Sequence, residues 1–319
     1  MIYEVGRSAS LQINGDVRGG IECIEVDDVG QAAASLEGTV SATLRQTAPN
    51  GWTYGGTVSA KGGVVYLHDT TDPATTDFDV ENIDAYGFVE TPMLDVTLGR
   101  IITQTAAVPE VWGRASLNYV MDTGPADFST GVTGEIVGIA SCHQGLWQAT
   151  VAADNRNRQH GSIVWRRPVR TITPAYGVEF IRDNAYDRSQ VPLYTGTDTG
   201  EVQLHGGRFG AMAEYGRLTF GASAGLEAFY DFSTHVQTHS RYDVGLSNKS
   251  GRYIFGAGAQ HRRSHQENVH ETALTADMVV GIATGVDLEF GYQFTRLEDK
   301  ALADPVHTHE GRTNLRLSF

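Results

Sequence analysis

The stretch RLTFGASAGLEAFY, residues 217–230, alternates between two kinds of side chain. Every second position carries an uncharged and mostly apolar side chain: Leu218, Phe220, Ala222, Ala224, Leu226, Ala228 and Tyr230. Arg217, Thr219 and Glu227 lie among the positions between them. A period of two over so long a run predicts a β-strand with one apolar face and one face that tolerates polar groups.

The same alternation recurs along the chain, for example in 36–45, 286–295 and the last segment, 311–319. Marking every such run predicts strands near residues 10–26, 31–46, 51–67, 77–90, 93–100, 131–141, 146–155, 159–167, 173–183, 201–216, 217–231, 236–248, 252–264, 269–282, 286–297 and 309–319. These are about sixteen, an even number, as a single-chain barrel with both ends on the periplasmic side requires. The fold class predicted is all-β, a transmembrane antiparallel β-barrel forming one domain over residues 1–319.

Strand length separates this prediction from a water-soluble β-sandwich. Sandwich strands usually run for about five or six residues, whereas these runs last about ten or more. A helical membrane protein is excluded, because the sequence has nothing near the roughly 18 consecutive apolar residues of a spanning helix. A soluble adhesin with a β-sandwich fold stays an alternative, and solubility without detergent would favour it.

Composition excludes several other classes of protein. The chain carries 38 Asp and Glu against 24 Lys and Arg, so nucleic acid is not expected as a partner. The two cysteines, Cys23 and Cys142, give neither a disulfide framework nor a metal-ligand spacing, and we expect no cofactor and no metal site. Residues 1–10 lack the features of a secretory signal, so we expect a mature chain.

The connections alternate between short turns, such as EYGR and NKSG, and longer polar segments, as they do in outer-membrane barrels. The segment 101–130 is the exception, because it is long, irregular and fairly apolar. Loops of that length are usually functional or disordered. Its apolar side chains have surface to bury, and a loop folded into the lumen of the barrel would bury it.

Three stretches carry a family resemblance. The last strand, with Leu315, Leu317 and a terminal Phe319, resembles the insertion signal of bacterial outer-membrane barrels. SLQINGDVRGGIECIE at 10–25 is similar to the first strand of alphaproteobacterial general porins, and AYGFVETPMLDVTLGR at 85–100 is similar to their hairpin before the third loop. The resemblance implies a homotrimer in the bacterial outer membrane, surrounded by lipid and lipopolysaccharide, that passes small hydrophilic solutes and ions. It also implies that the 101–130 segment is the third loop, which folds inward and narrows the pore at mid-height.

The candidate site is a constriction with opposed charges. Its acidic side is predicted to come from loop residues Glu110, Asp122 and Asp127. Its basic side is predicted to come from residues at polar positions of the wall strands: Arg18, Arg45 and Lys61. By similarity to the family, Arg100 is expected to join this basic cluster. Its position two residues after Leu98, however, predicts that its side chain points outward. Opposed rows of this kind create a transverse field that orients dipolar solutes.

Two further alternatives remain open. A substrate-specific channel has the same architecture and differs by saturable binding in the lumen. An outer-membrane enzyme is less favoured, because neither a GxSxG nor an HExxH string occurs, and we expect no catalytic residues. The histidine-rich stretches HRRSHQENVHE at 261–271 and HTHE at 307–310 are interpreted as solvated loop residues rather than a metal site.

Overall fold

The computed structural model describes residues 2–4, 9–27, 29–68, 76–102, 134–188, 191, 193, 200–231, 234–266, 269–299 and 304–319. The strands within these ranges are β1 Ile2–Glu4, β2 Ala9–Val26, β3 Val29–Thr47, β4 Thr53–His68, β5 Thr76–Glu90, β6 Leu94–Ile101, β7 Gly134–Gln144, β8 Trp147–Asp154, β9 Gln159–Arg166, β10 Ile172–Asp187, β11 Glu201–Tyr215, β12 Leu218–Asp231, β13 Thr234–Ser250, β14 Tyr253–Ser264, β15 His270–Ala283, β16 Val286–Glu298 and β17 Val306–Ser318. No helix of the described residues is long and apolar enough to cross a bilayer.

Strands β2–β17 form a closed antiparallel barrel. Each pairs with the next, and β17 returns to β2, where Ser318 lies opposite Asp16. Two backbone hydrogen bonds between Gly15 and Phe319, each of 2.9 Å, extend this seam. The predicted fold class, an antiparallel barrel of sixteen strands, is confirmed. The sequence pattern missed β1, which pairs with the start of β2, because three residues are too few to show a period.

Burial along the strands is inverted relative to a soluble protein. On β12, Phe220 and Leu226 are 52% and 57% exposed, while Ser223 and Glu227, which point the opposite way, are buried. The same inversion holds on β13, where Val244 is exposed and Asp243 is buried. The barrel therefore presents an apolar belt outward and polar groups inward, as a bilayer-spanning barrel requires.

Short turns and aromatic side chains mark one end of the barrel. At the turn between β11 and β12, Gly216 has a φ of 60°, a conformation that glycine adopts without steric cost. Near this end the ring of Trp165 lies between Trp147 and Tyr176, with centroid distances of 6.4 and 5.6 Å. Amphipathic aromatic rings of this kind form the girdles at membrane interfaces. Short turns are typical of the periplasmic end, and aromatic girdles occur at both interfaces.

Candidate functional site: the inner wall of the barrel

Two of the predicted basic residues, Arg18 and Lys61, lie close together on the inner wall. Lys61 Nζ is 3.5 Å from Glu37 Oε2, and Glu37 is the cross-strand partner of Arg18. Arg18 Nε is 3.1 Å from Glu289 Oε2. Arg316, on the strand between Arg18 and Glu289, contacts Asp16 and Glu289. We call these residues the mixed-charge strip: Lys61, Glu37, Arg18, Arg316, Asp16 and Glu289.

The mixed-charge strip runs across β4, β3, β2, β17 and β16 and intersperses three cations with three carboxylates, although Arg18 and Arg316 are direct cross-strand partners. Each of its cations lies beside at least one carboxylate, at 3.9 Å or less. Arg18 and Lys61 thus project from the inner wall, as their positions predicted, and carboxylates of the same wall lie beside them. Arg18 and Lys61 stay about one-third exposed, so both remain accessible to water in the lumen.

Arg45 lies on the same face but apart from the strip. Its guanidinium pairs with both carboxylate oxygens of Glu90, at 2.9 and 3.2 Å, and lies 5.0 Å from the ring centroid of Phe88. Eight residues separate Arg45 from Glu37 along β3, which is about 26 Å at the usual rise of a strand. Arg45 therefore lines the periplasmic end of the lumen.

Arg100 points outward, because it has the same parity on β6 as exposed Val96 and Leu98. Pairing between β6 and β7 shifts between Gly99 and Ile101, and Ile101 is buried against Val137 and Ala152. Arg100 is instead the partner of outward-facing Ala85, and its Nε lies 3.2 Å from Glu135. The structure thus separates Arg100 from Arg18 and Lys61, as its spacing from Leu98 indicated.

The predicted acidic residues Glu110, Asp122 and Asp127 lie outside the described residues. Only the first two residues of the 101–130 segment are described. Ile101 packs into an inward-facing apolar cluster, and the backbone nitrogen of Ile102 donates a 2.6 Å hydrogen bond to Asp84. Asp84 is fully buried on the inner wall. The chain therefore leaves β6 on the lumen side of the wall.

The structure also reveals a row of buried arginines that the sequence analysis missed. Cross-strand pairing aligns Arg208 on β11 with Gly225 on β12, Gly225 with Arg241 on β13, and Arg241 with Arg262 on β14. The three arginines are 6%, 2% and 0% exposed. We call Arg208, Arg241 and Arg262 the arginine row.

Carboxylates accompany the arginine row. Arg208 donates from Nε and Nη2 to Glu179 Oε2, at 3.1 and 2.8 Å. Arg241 Nε lies 3.1 and 3.2 Å from the two oxygens of Asp243. A Cβ at Gly225 would lie only 3.3 Å from Cβ of Arg208, so the glycine makes room for the arginine stem. Each arginine occupies a polar position of its strand, but only the register shows that the three are neighbours.

Leu315, Leu317 and Phe319, the residues of the predicted insertion signal, all face outward and are 44%, 42% and 58% exposed. The ring of Phe319 covers Gly15, where any Cβ would overlap it. Their role in insertion stays a prediction. Among the described residues, no group of three or more histidine, cysteine or carboxylate side chains is arranged to hold a metal ion.

Known outer-membrane proteins share this architecture. No protein-family model and no curated protein sequence matches the chain. In-vitro folded OmpT, an outer membrane protein of Vibrio cholerae, matches with a TM-score of 0.67 and 11% identity over 98% of both chains. The anion-selective porin from Comamonas acidovorans matches with a TM-score of 0.64 and 10% identity, over 98% of this chain and 100% of the porin. The chain has the fold of a bacterial outer-membrane porin.

A second porin has the same fold. A mutant of the Rh. blastica porin matches with a TM-score of 0.54 and 11% identity, over 97% of this chain and all of that porin. The resemblance to porins that the sequence showed is confirmed at the level of the fold. The barrel fold of these outer-membrane proteins and the apolar belt together place the chain in the bacterial outer membrane.

Proposed function

We propose that this chain is a porin through which small hydrophilic solutes and ions diffuse passively, and that it has no enzymatic activity. The observation that carries the proposal is the charged lining of a closed barrel with an apolar exterior. Arg45 and Glu90 line the periplasmic end, and the mixed-charge strip lies further along the wall. A lumen of this kind holds water, so apolar solutes meet a desolvation barrier that polar solutes do not.

We further propose that the 101–130 segment narrows this pore and that residues 1–319 form a single barrel domain. The proposed assembly is a homotrimer. One matched OmpT structure is described as a trimer form, and it covers 98% of this chain with a TM-score of 0.63. Outer-membrane lipid and lipopolysaccharide are the proposed neighbours of the apolar belt.

Single-channel conductance in a planar bilayer tests the proposal. A diffusion pore gives ohmic steps whose size rises with salt concentration, and a trimer gives three equal steps per insertion. Protein that folds and inserts without conductance would contradict the channel. Single steps per insertion would contradict only the trimer.

The arginine row favours a second candidate, a channel specific for an anionic substrate. Guanidinium groups suit carboxylate or phosphate ligands, and such a substrate would have to reach the buried row and replace the contacts of Arg208 with Glu179 and of Arg241 with Asp243. Such a channel would show conductance block that saturates with one anionic solute. A general porin would show no saturation across a panel of sugars and organic acids.

A further inference from the structure

Near the outer end of β10, β11 and β12 the inner wall is apolar instead of polar. Ile181, Leu204 and Phe229 occupy inward positions on these three strands and are 4%, 0% and 0% exposed. Phe180, the outward neighbour of Ile181, is 48% exposed. The lumen side of such a barrel is polar because it meets water. Apolar side chains that break this rule and are fully buried must be covered by another part of the protein.

Val191, in the connection between β10 and β11, lies over these residues. It is 3% exposed and belongs to the same apolar cluster as Ile181, Val202, Leu204 and Phe229. Because all four of these partners face inward, the connection lies on the lumen side of the wall at this point. We call four residues the strap: Tyr186, Arg188, Val191 and Leu193.

A β-bulge near the end of β10 turns the chain toward the lumen. Asp183 pairs with Leu204 and Tyr186 pairs with Val202, so β10 has one residue more than β11 in this interval. The extra residue gives Tyr186 the same inward direction as Asp183, and its ring centroid lies 5.5 Å from that of Phe229. Bulges bend a strand and change the direction of its side chains in this way.

Polar contacts fasten the strap at both of its ends. Arg188 Nη2 lies 2.5 Å from Asp231 Oδ2 at the end of β12, and the backbone nitrogen of Arg188 donates a 2.8 Å hydrogen bond to the Gly200 carbonyl. At the other end, the carbonyl of Leu193 accepts a 3.3 Å hydrogen bond from Nε2 of Gln237, which lies on β13. The strap therefore reaches from β10 to β13, three of the sixteen strand spacings around the barrel, or roughly 14 Å.

The strap lies at the outer mouth of the barrel. Phe229 is eleven positions from Leu218, where β12 begins at the periplasmic end. At about 3.3 Å per residue and a tilt of about 45°, Phe229 lies roughly 26 Å above that end. The apolar band of such barrels is about 25 Å tall, so the strap crosses the wall at the level of the outer interface. On β13, Arg241 is four positions deeper than Gln237, so the strap also lies between the outer medium and the arginine row.

We propose that the strap is a fixed constriction of the outer mouth, which limits the size of the solutes that enter the lumen from outside. This inference rests on the proposed channel function. Packed layers of chain lie about 10 Å apart, so a layer of chain on the inner wall reduces the width of the mouth by an amount of that order. The strap is separate from the predicted narrowing by the 101–130 segment, because it comes from another connection and lies at the mouth.

Side-specific polymer exclusion from single channels in a planar bilayer tests the proposal. Polyethylene glycols of graded mass are added to one side at a time, and a polymer that enters the mouth on that side lowers the conductance. The variant V191D places a carboxylate among apolar residues and releases the strap. Its control, V29D, adds the same group at an outer-rim residue that is 68% exposed.

We expect V191D to raise the mass of the smallest polymer excluded from the outer side about twofold, which is about 1.4-fold in the size of a flexible coil. The cut-off from the periplasmic side stays unchanged, because the strap lies at the other end of the lumen. V29D leaves both cut-offs unchanged.

Thiol labelling reports the release of the strap independently of conductance. The substitution V202C is made in a protein that also carries Cys23→Ser and Cys142→Ser, and a membrane-impermeant thiol reagent is added. Val202 is 2% exposed in the apolar cluster that Val191 joins. We expect V191D to speed labelling at this position by about tenfold or more, since the strap no longer protects it.

Several results would overturn the proposal. An unchanged outer cut-off in V191D, together with fast labelling at position 202, would mean that the released strap had not narrowed the mouth. Slow labelling at position 202 in V191D would mean that Val191 does not anchor the strap. Equal shifts of both cut-offs would mean that V191D disturbs the whole lumen. Wild-type protein that folds without any conductance would instead contradict the channel function, and the constriction with it.

Discussion

Adjacent residues on β3 allow a direct test of which barrel face meets hydrocarbon. Val40 is 52% exposed on the outer face, and its cross-strand partners are Gly15 and Ala60. Seven residues separate it from Thr47 at the periplasmic end, so it lies roughly 16 Å above that end, within the apolar band of about 25 Å. Thr39 points inward, between Asp16 and Lys61.

Val40→Arg places a guanidinium in hydrocarbon next to neighbours that offer it no polar side chain. Arginine on the lipid face of such a barrel costs about 2–4 kcal/mol near the midplane, a roughly 30- to 900-fold change in the folding equilibrium. Thr39→Arg puts the same group in the lumen beside the Asp16 carboxylate. There we expect a change within about 0.5 kcal/mol.

Reversible urea unfolding in lipid vesicles, followed by tryptophan fluorescence, measures both free energies of unfolding. The two variants differ by one position and carry the same new side chain, so each is the control for the other. Equal destabilisation, or a greater loss for Thr39→Arg, would refute the assignment of the outer and inner faces.

Three further predictions concern the pore, the arginine row and assembly. Neutralising Glu110, Asp122 and Asp127 together shifts the reversal potential in a salt gradient toward anion selectivity; an unchanged potential removes them from the constriction. Glu179→Gln removes the carboxylate that accepts two hydrogen bonds from buried Arg208 and costs about 3–5 kcal/mol in urea unfolding, whereas the double variant with Arg208→Met loses less. Phe319→Ala lowers the fraction of heat-modifiable, folded barrel on electrophoresis, because the ring at the seam is lost; a wild-type fraction would contradict this.

The position of each strand was predictable because alternation is a local property. Residues 286–297 were predicted as a strand, and β16 spans Val286–Glu298. The same alternation predicted that the side chains of Arg18 and Lys61 point into the lumen and that those of Leu315 and Leu317 point outward. His261, His270 and His309 fall within the predicted strands 252–264, 269–282 and 309–319, and the structure places them on strands, so their interpretation as solvated loop side chains was wrong.

The sequence by itself determined that the chain forms long strands with one apolar face, since successive side chains of a strand point to opposite sides whatever the strand pairs with. Only the tertiary structure decided which side chains meet. Arg18 reaches Glu289, 271 positions along the chain, because closure brings β17 against β2. Arg208, Arg241 and Arg262 become neighbours through the register of four strands. Register depends on hydrogen bonding between separate segments, and the alternation within one segment does not specify that register.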